Sequence, residues 1–268
     1  MSPSDANFGI GALELPGHMP RLHHGAVDIA YLDEGEGDPI VLVHGFASNK
    51  EVNWVGPGWV AMLTRAGRRV IALDNRGHGE STRLYRPEDY HTDLMADDVR
   101  ALIDQLDLDR VDLLGYSMGA RICAFVTVRH PDRVRSLILG GLGVRLVDGV
   151  GLSDDIALAL EAPSPDDVTD PIGRRFRTFA DQTGSDRVAL AACLRGSRQT
   201  LPRDQARSIA APTLIAVGTR DDVAGPAAPL AAMIPGAEVL DIPGRDHMLA
   251  VGDRVFKVGA LAFLERRQ

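Results

Sequence analysis

The sequence predicts an α/β fold, a doubly wound, mostly parallel sheet that carries a helical insertion, on three observations. Short β-branched apolar runs alternate with longer stretches of helical apolar spacing, the rhythm of strand, crossover helix and parallel strand. Several runs, "PIVLV" and "TLIAV" among them, lack the alternation of a half-exposed strand and read as strands covered on both faces. The rhythm then stops between about Leu142 and Arg207, where helical pieces and polar joints follow one another without a convincing strand. The expected organisation is a core of residues 1–141 and 208–268 with a helical cap at 142–207 over one end of the sheet. Ordinary crossover helices with no lid role are the alternative.

Taken in order, strands are expected in "AVDIAYLDEG", "PIVLVHG", "RRVIALD", "RVDLLGYS", "RSLILGG", "PTLIAVG" and "AEVLDIP". Helices are expected in "WVAMLTRAG", "TDLMADDVRALIDQLD", "MGARICAFVTVRH" and "DRVFKVGALAFLERR", whose apolar residues recur on one face. Thr92 is the expected N-cap of the second of these. No internal repeat or low-complexity tract interrupts the pattern.

Composition narrows the function classes. At 268 residues the chain is long enough for a substantial core, and 45% hydrophobic with 25% charged residues is ordinary for a globular protein. A formal net charge of −8 argues against a nucleic-acid partner, because phosphate binding draws on clustered Lys and Arg. The first twenty residues lack the basic start and apolar stretch of a secretory leader, and no stretch is apolar enough to span a bilayer. A cytoplasmic protein without a membrane partner is therefore expected. Cys123 and Cys193 are expected as two reduced core thiols, and neither has a Cys or His at metal-ligand spacing.

Chemistry concentrates in "DLLGYSMGAR". A serine between Gly115 and Gly119, after a strand and before a helix, sits on a sharp turn that points its hydroxyl off the end of the sheet, where ligand sites of α/β folds form. Ser117 is therefore the candidate nucleophile. It needs a base, and histidine suits that duty near neutral pH. Of eight histidines, His18, His23 and His24 precede the first strong strand and read as surface residues. His91 and His130 lie near helix ends, and His78 sits in the turn-rich loop "DNRGHGES". His247 follows the last strand and precedes the last helix, which makes it the candidate base. Asp221, in preference to Asp222, follows the strand "PTLIAVG" and is the candidate acid that orients the imidazole. The chain order Ser, Asp, His is that of α/β-hydrolases. Two backbone N–H groups are expected to hold the developing oxyanion, those of Met118 and of Phe46 in "VLVHGFASN", where His44 and Gly45 shape the loop.

The motifs "HGF", "DNRGHGES", "GYSMGA", "GTRDD" and "GRDHM" together resemble the α/β-hydrolase superfamily from roughly residue 25 onward. Within it the chain resembles the compact, cofactor-free haloperoxidase-like esterases and lactone hydrolases. The resemblance implies Ser117 as nucleophile, His247 as base, Asp221 as orienting acid and Phe46 with Met118 as oxyanion donors. It implies a conformation-setting role for "DNRGHGES", with no catalytic part for Asp74, Arg76 or His78, and it says little about the cap.

The function expected is hydrolysis of a small carboxylic ester, lactone or thioester through an acyl-enzyme on Ser117, with no metal or organic cofactor. Carbon–carbon bond hydrolysis on the same residues stays open, as does a sensor that keeps the fold and binds without turnover. Phe46, Trp54, Met118, Leu142 and Met248 are apolar residues near the site that read as core before pocket wall. Arg76 and Arg121 are assigned no role, and the oligomeric state is not legible.

Overall fold

The computed structural model describes residues 19–149 and 154–267. Its elements run β1 (Arg21–His24), β2 (Val27–Glu34), β3 (Asp38–Val43), α1 (Trp59–Arg65), β4 (Arg68–Leu73), α2 (Thr92–Gln105), β5 (Val111–Tyr116), α3 (Met118–Arg129) and β6 (Val134–Gly140). Then follow α4 (Arg145–Asp148), α5 (Asp154–Glu161), α6 (Pro171–Gln182), α7 (Arg187–Gly196) and α8 (Arg203–Arg207). The chain closes with β7 (Thr213–Gly218), α9 (Ala227–Ala231), β8 (Glu238–Ile242) and α10 (Arg254–Arg266).

The eight strands form one sheet in the order β1-β2-β4-β3-β5-β6-β7-β8. Strand β2 runs antiparallel to both β1 and β4, and every other neighbouring pair is parallel. The expected doubly wound α/β sheet is thus present, and its central strands are buried on both faces for a visible reason. Along β3, Val41 and Val43 enter the apolar layer that holds α2 and α3, while Ile40 and Leu42 enter the opposite layer with Trp54, Trp59 and Phe256. A strand serving two cores has no face left for polar residues.

Two local readings are corrected. β1 was not anticipated, because "RLHH" is a four-residue edge strand with a single buried side chain, Leu22. The N-cap of α2 is His91 rather than Thr92: the His91 ring accepts the Asp93 N–H, while the Thr92 hydroxyl donates to Gln199 Oε1 at 2.7 Å. Both cysteines are buried and free. His18 lies outside the described residues. Helices α4 to α8 all fall between β6 and β7, the stretch in which no strand was expected. No helix among the described residues is long and apolar enough to cross a membrane.

Candidate active site

Ser117 occupies the turn between β5 and α3 with φ 54° and ψ −111°, a conformation that L residues rarely adopt. The turn closes only because its neighbours have no side chains. A Cβ on Gly115 would lie 2.3 Å from Gly119 O, and one on Gly119 would lie 2.0 Å from Val43 O. The glycines therefore let α3 approach β5 and β3 at backbone distance, which leaves the Ser117 hydroxyl at the carboxyl end of the sheet.

His247 arrives from the loop between β8 and α10, and Asp221 from the loop after β7. Their side chains complete a hydrogen-bonded chain: His247 Nε2 lies 2.9 Å from Ser117 Oγ, and His247 Nδ1 lies 2.8 Å from Asp221 Oδ2. A carboxylate only accepts, so Nδ1 carries the proton and Nε2 faces the serine hydroxyl as acceptor. Asp221 is itself held, its Oδ1 accepting the N–H groups of Val223 and Ala224 at 2.9 Å each. Its side chain is fully buried, whereas Asp222 lies outside this chain of bonds and faces a neighbouring hollow.

The loop after β3 supplies the remaining groups. Gly45 N–H donates to Asn53 Oδ1 at 2.8 Å, whereas the next N–H along, that of Phe46, has no acceptor among the described residues. Met118 N–H, in the first turn of α3, likewise has none there. A helix N-terminus carries partial positive charge, so the Met118 position favours an anion. Gly45 lets this loop lie against the serine, since a Cβ there would sit 3.2 Å from Tyr116 O and 3.4 Å from Ser117 Cβ.

The loop "DNRGHGES" fixes that arrangement from below. Asn75 N–H donates to His44 Nε2 at 3.0 Å, and Asn75 Nδ2 donates to His44 O at 3.1 Å. Asp74 accepts from Lys50 N–H and Lys50 Nζ at 2.8 Å each. Burial holds the His44 imidazole below its ordinary pKa, and it also pulls His78 down to about 3, so both rings are neutral struts. Arg76 forms a buried pair with Asp98 at 2.7 Å.

Small cavities open on either side of Ser117. One, about 40 Å³, is walled by Phe46, Met118, Leu142, Leu194 and Val223 and edged by Arg121 and Arg145. The other, also about 40 Å³, lies against Tyr116, His247, Met248, Val251 and the α6 residues Phe176 and Phe179. Phe46, Met118, Leu142 and Met248 thus line cavities, whereas Trp54 is fully buried core.

Three residues at the site were not foreseen in these roles. Asn53 uses up the Gly45 donor, Tyr116 donates its hydroxyl to the His247 backbone carbonyl at 2.5 Å, and Arg121 enters the first cavity. Nothing in the sequence marks Asn53 or Tyr116, because each acts through a backbone atom distant along the chain or across a turn. Among the described residues no three His, Cys, Asp or Glu side chains are grouped to hold a metal ion.

Residues 38–183 match the model of the alpha/beta hydrolase fold family. A Synechocystis sp. protein assigned by name to the non-heme chloroperoxidases is 31% identical over 255 residues, covering 83% of this chain and 89% of its own. A 2-hydroxy-6-oxo-2,4-heptadienoate hydrolase of Pseudomonas putida is 36% identical over 150 residues, 55% of this chain and 51% of that relative. A hydrolase of Pseudomonas aeruginosa PA01 superposes with a TM-score of 0.76 at 25% identity, covering 93% of this chain and 99% of its own. The elbow at Ser117, the sheet order and these similarities agree, and the chain belongs to the alpha/beta hydrolase fold family.

Proposed function

We propose that this protein is a serine hydrolase that cleaves a small carboxylic ester, lactone or thioester through an acyl-enzyme on Ser117. The observation that carries the reading is the continuous hydrogen-bonded chain from Ser117 Oγ through His247 to Asp221, at 2.9 and 2.8 Å. In the first half-reaction Ser117 Oγ bonds to the carbonyl carbon as His247 Nε2 takes its proton, and the carbonyl π pair moves to oxygen. The N–H groups of Phe46 and Met118 hold that oxyanion, each worth about 3 kcal/mol in comparable sites. His247, kept in place by Asp221, then returns the proton to the leaving oxygen or sulfur as its bond to carbon breaks. Water, deprotonated by the same imidazole, attacks the acyl-serine and releases the acid. All groups come from the chain itself, helices α4 to α8 acting as a cap whose α6 closes the leaving-group side.

Support for one second reading comes from the Pseudomonas putida relative, whose named substrate is a keto acid and not an ester. Carbon–carbon hydrolysis beside a ketone is that alternative. The test is a p-nitrophenyl ester series, acetate through long acyl chains, run alongside a 2-hydroxy-6-oxodienoate with wild type and Ser117→Ala. Ester turnover that falls by about 10³-fold or more in the variant supports the proposal. Turnover of the dienoate alone selects the second reading, and binding without turnover of either rejects both in favour of a sensor.

A further inference from the structure

Among the described residues the buried lysine and arginines pair with carboxylates, with one exception. Lys50 pairs with Asp74 at 2.8 Å, Arg68 with Asp112 at 2.9 Å, Arg76 with Asp98 at 2.7 Å and Arg177 with Asp181 at 2.9 Å. Arg121, only 2% exposed, has no carboxylate within ion-pair distance among the described residues. Its guanidinium donates instead to three backbone carbonyls, those of Leu146 at 3.3 Å, Gln199 at 2.7 Å and Arg145 at 3.1 Å. Those bonds use three of the five N–H donors of an arginine. Removing a charge from water without a counter-ion is costly, so a buried guanidinium that keeps spare donors is matched to an anion from outside the chain. Burial brings its pKa down to about 10, which leaves it charged at neutral pH.

Position supplies the second argument. Arg121 lines the cavity that Ser117, Phe46 and Met118 also line, and Arg145 stands at the same wall with no ion partner among the described residues. Arg198, the third arginine there, has a carboxylate partner in Asp154 at 2.9 Å, although its buried Nη2 makes no hydrogen bond among the described residues. His247 borders the opposite cavity. The leaving group must receive its proton from His247, so it lies on the His247 side, and the acyl group extends into the cavity with the arginines.

Resting on the serine hydrolase reading above, we propose that the substrate's acyl group ends in a carboxylate that Arg121 and Arg145 bind. The preferred substrate class is then the half-ester of a short dicarboxylic acid, or a lactone that carries a carboxylate on its acyl side. Ser117 and Arg121 line the same small cavity, about 40 Å³, which suits a spacer of only a few methylenes between the reacting carbonyl and the carboxylate. The apolar walls accommodate those methylenes, and the guanidinium groups take the two carboxylate oxygens.

The test compares monomethyl glutarate with methyl valerate, equal in chain length and differing in the terminal charge, with acid release followed by pH-stat. Wild type is expected to favour the glutarate in kcat/KM by about 10-fold or more, the range of a charge-assisted hydrogen bond to a buried ion. Arg121→Gln and Arg145→Met are each expected to lower that glutarate-to-valerate ratio by about 10-fold. A wild-type preference for the neutral ester, or an unchanged ratio in both folded variants, overturns the proposal. Because Arg121 also holds three carbonyls, its variant can fail to fold; Arg145→Met and inhibition of wild type by free glutarate against free valerate then decide, and equal inhibition by the two acids counts against it. If neither ester is cleaved, the serine hydrolase reading is what has failed, and calorimetric binding of glutarate to wild type and to Arg145→Met tests the anion site separately.

Discussion

Replacing Gly119 by alanine puts a methyl group where the backbone of β3 already lies. The new Cβ would stand 2.0 Å from Val43 O and 2.6 Å from both His44 O and Val43 C, and Cβ contacts essentially never fall below 3.0 Å. The gap must therefore open by at least about 1 Å. Neither neighbour is a rotatable side chain, so the movement passes to the end of β3 and the Gly45–Phe46 loop that continues it. Overpacking of this kind costs about 1–3 kcal/mol, and a clash with the backbone of two consecutive residues belongs at the upper end, about 3 kcal/mol. A displacement of about 1 Å at an oxyanion donor lowers activity by roughly 100-fold. Urea denaturation measures the first quantity, and kcat/KM on p-nitrophenyl acetate measures the second. Gly236→Ala serves as the comparison: its φ is +70° but nothing lies within 4 Å of the new Cβ, so it carries only the backbone strain, about 1 kcal/mol, with activity unchanged. If Gly119→Ala loses less than about 0.5 kcal/mol and keeps full activity, the close approach of α3 to β3 does not set the position of the Gly45–Phe46 loop.

Three other outcomes are expected. Tyr116→Phe removes the donor that holds the His247 carbonyl at 2.5 Å, which should cost about 1–3 kcal/mol in urea denaturation and lower kcat while leaving KM in place; an unaltered kcat would show that the loop is held by other contacts. His78 is neutral in the fold with its pKa near 3 but titrates at its ordinary 6.5 once unfolded, so between those values the unfolded chain binds the extra proton. Stability should accordingly fall with decreasing pH through that window, by about 1.4 kcal/mol per unit for this residue, and His78→Asn should show the shallower slope of the two proteins; equal slopes would contradict the assignment. Burial pushes the Cys193 thiol up to about 12 and raises Cys123 as well, so an aromatic disulfide reagent at pH 8 should label neither until denaturant is added, and rapid labelling of the native protein would refute this.

The strands and long helices were legible because their apolar residues answer to one local rule each, alternation between two covered faces or a single helical stripe. The serine turn was legible for a similar reason, since a Cβ added at 115 or 119 would fall 2.3 or 2.0 Å from a backbone oxygen and only glycine fits. β1 escaped notice because an edge strand of four residues buries only Leu22. The cap residue of α2 was misplaced because Thr92 spends its hydroxyl on Gln199, 107 positions away, and that demand leaves no trace nearby. The fates of two arginines show the same limit. Arg76 meets Asp98 and Arg121 meets only carbonyls, yet both look like ordinary basic residues in the sequence, because a missing counter-ion is a property of the folded interior. Phe176 and Phe179 were hidden likewise, since which helical face turns toward the serine is settled by the packing of α5, α6 and α7.

The most direct measurement is acid-quenched mass spectrometry of the protein mixed with p-nitrophenyl acetate, read on the tryptic peptide Val111–Arg121. The expected result is a transient acetyl adduct that fragmentation assigns to Ser117, absent from Ser117→Ala and lost as p-nitrophenol release ends. Hydrolysis that proceeds at the wild-type rate in Ser117→Ala, with no acetyl group on this peptide at any time, would contradict the covalent mechanism.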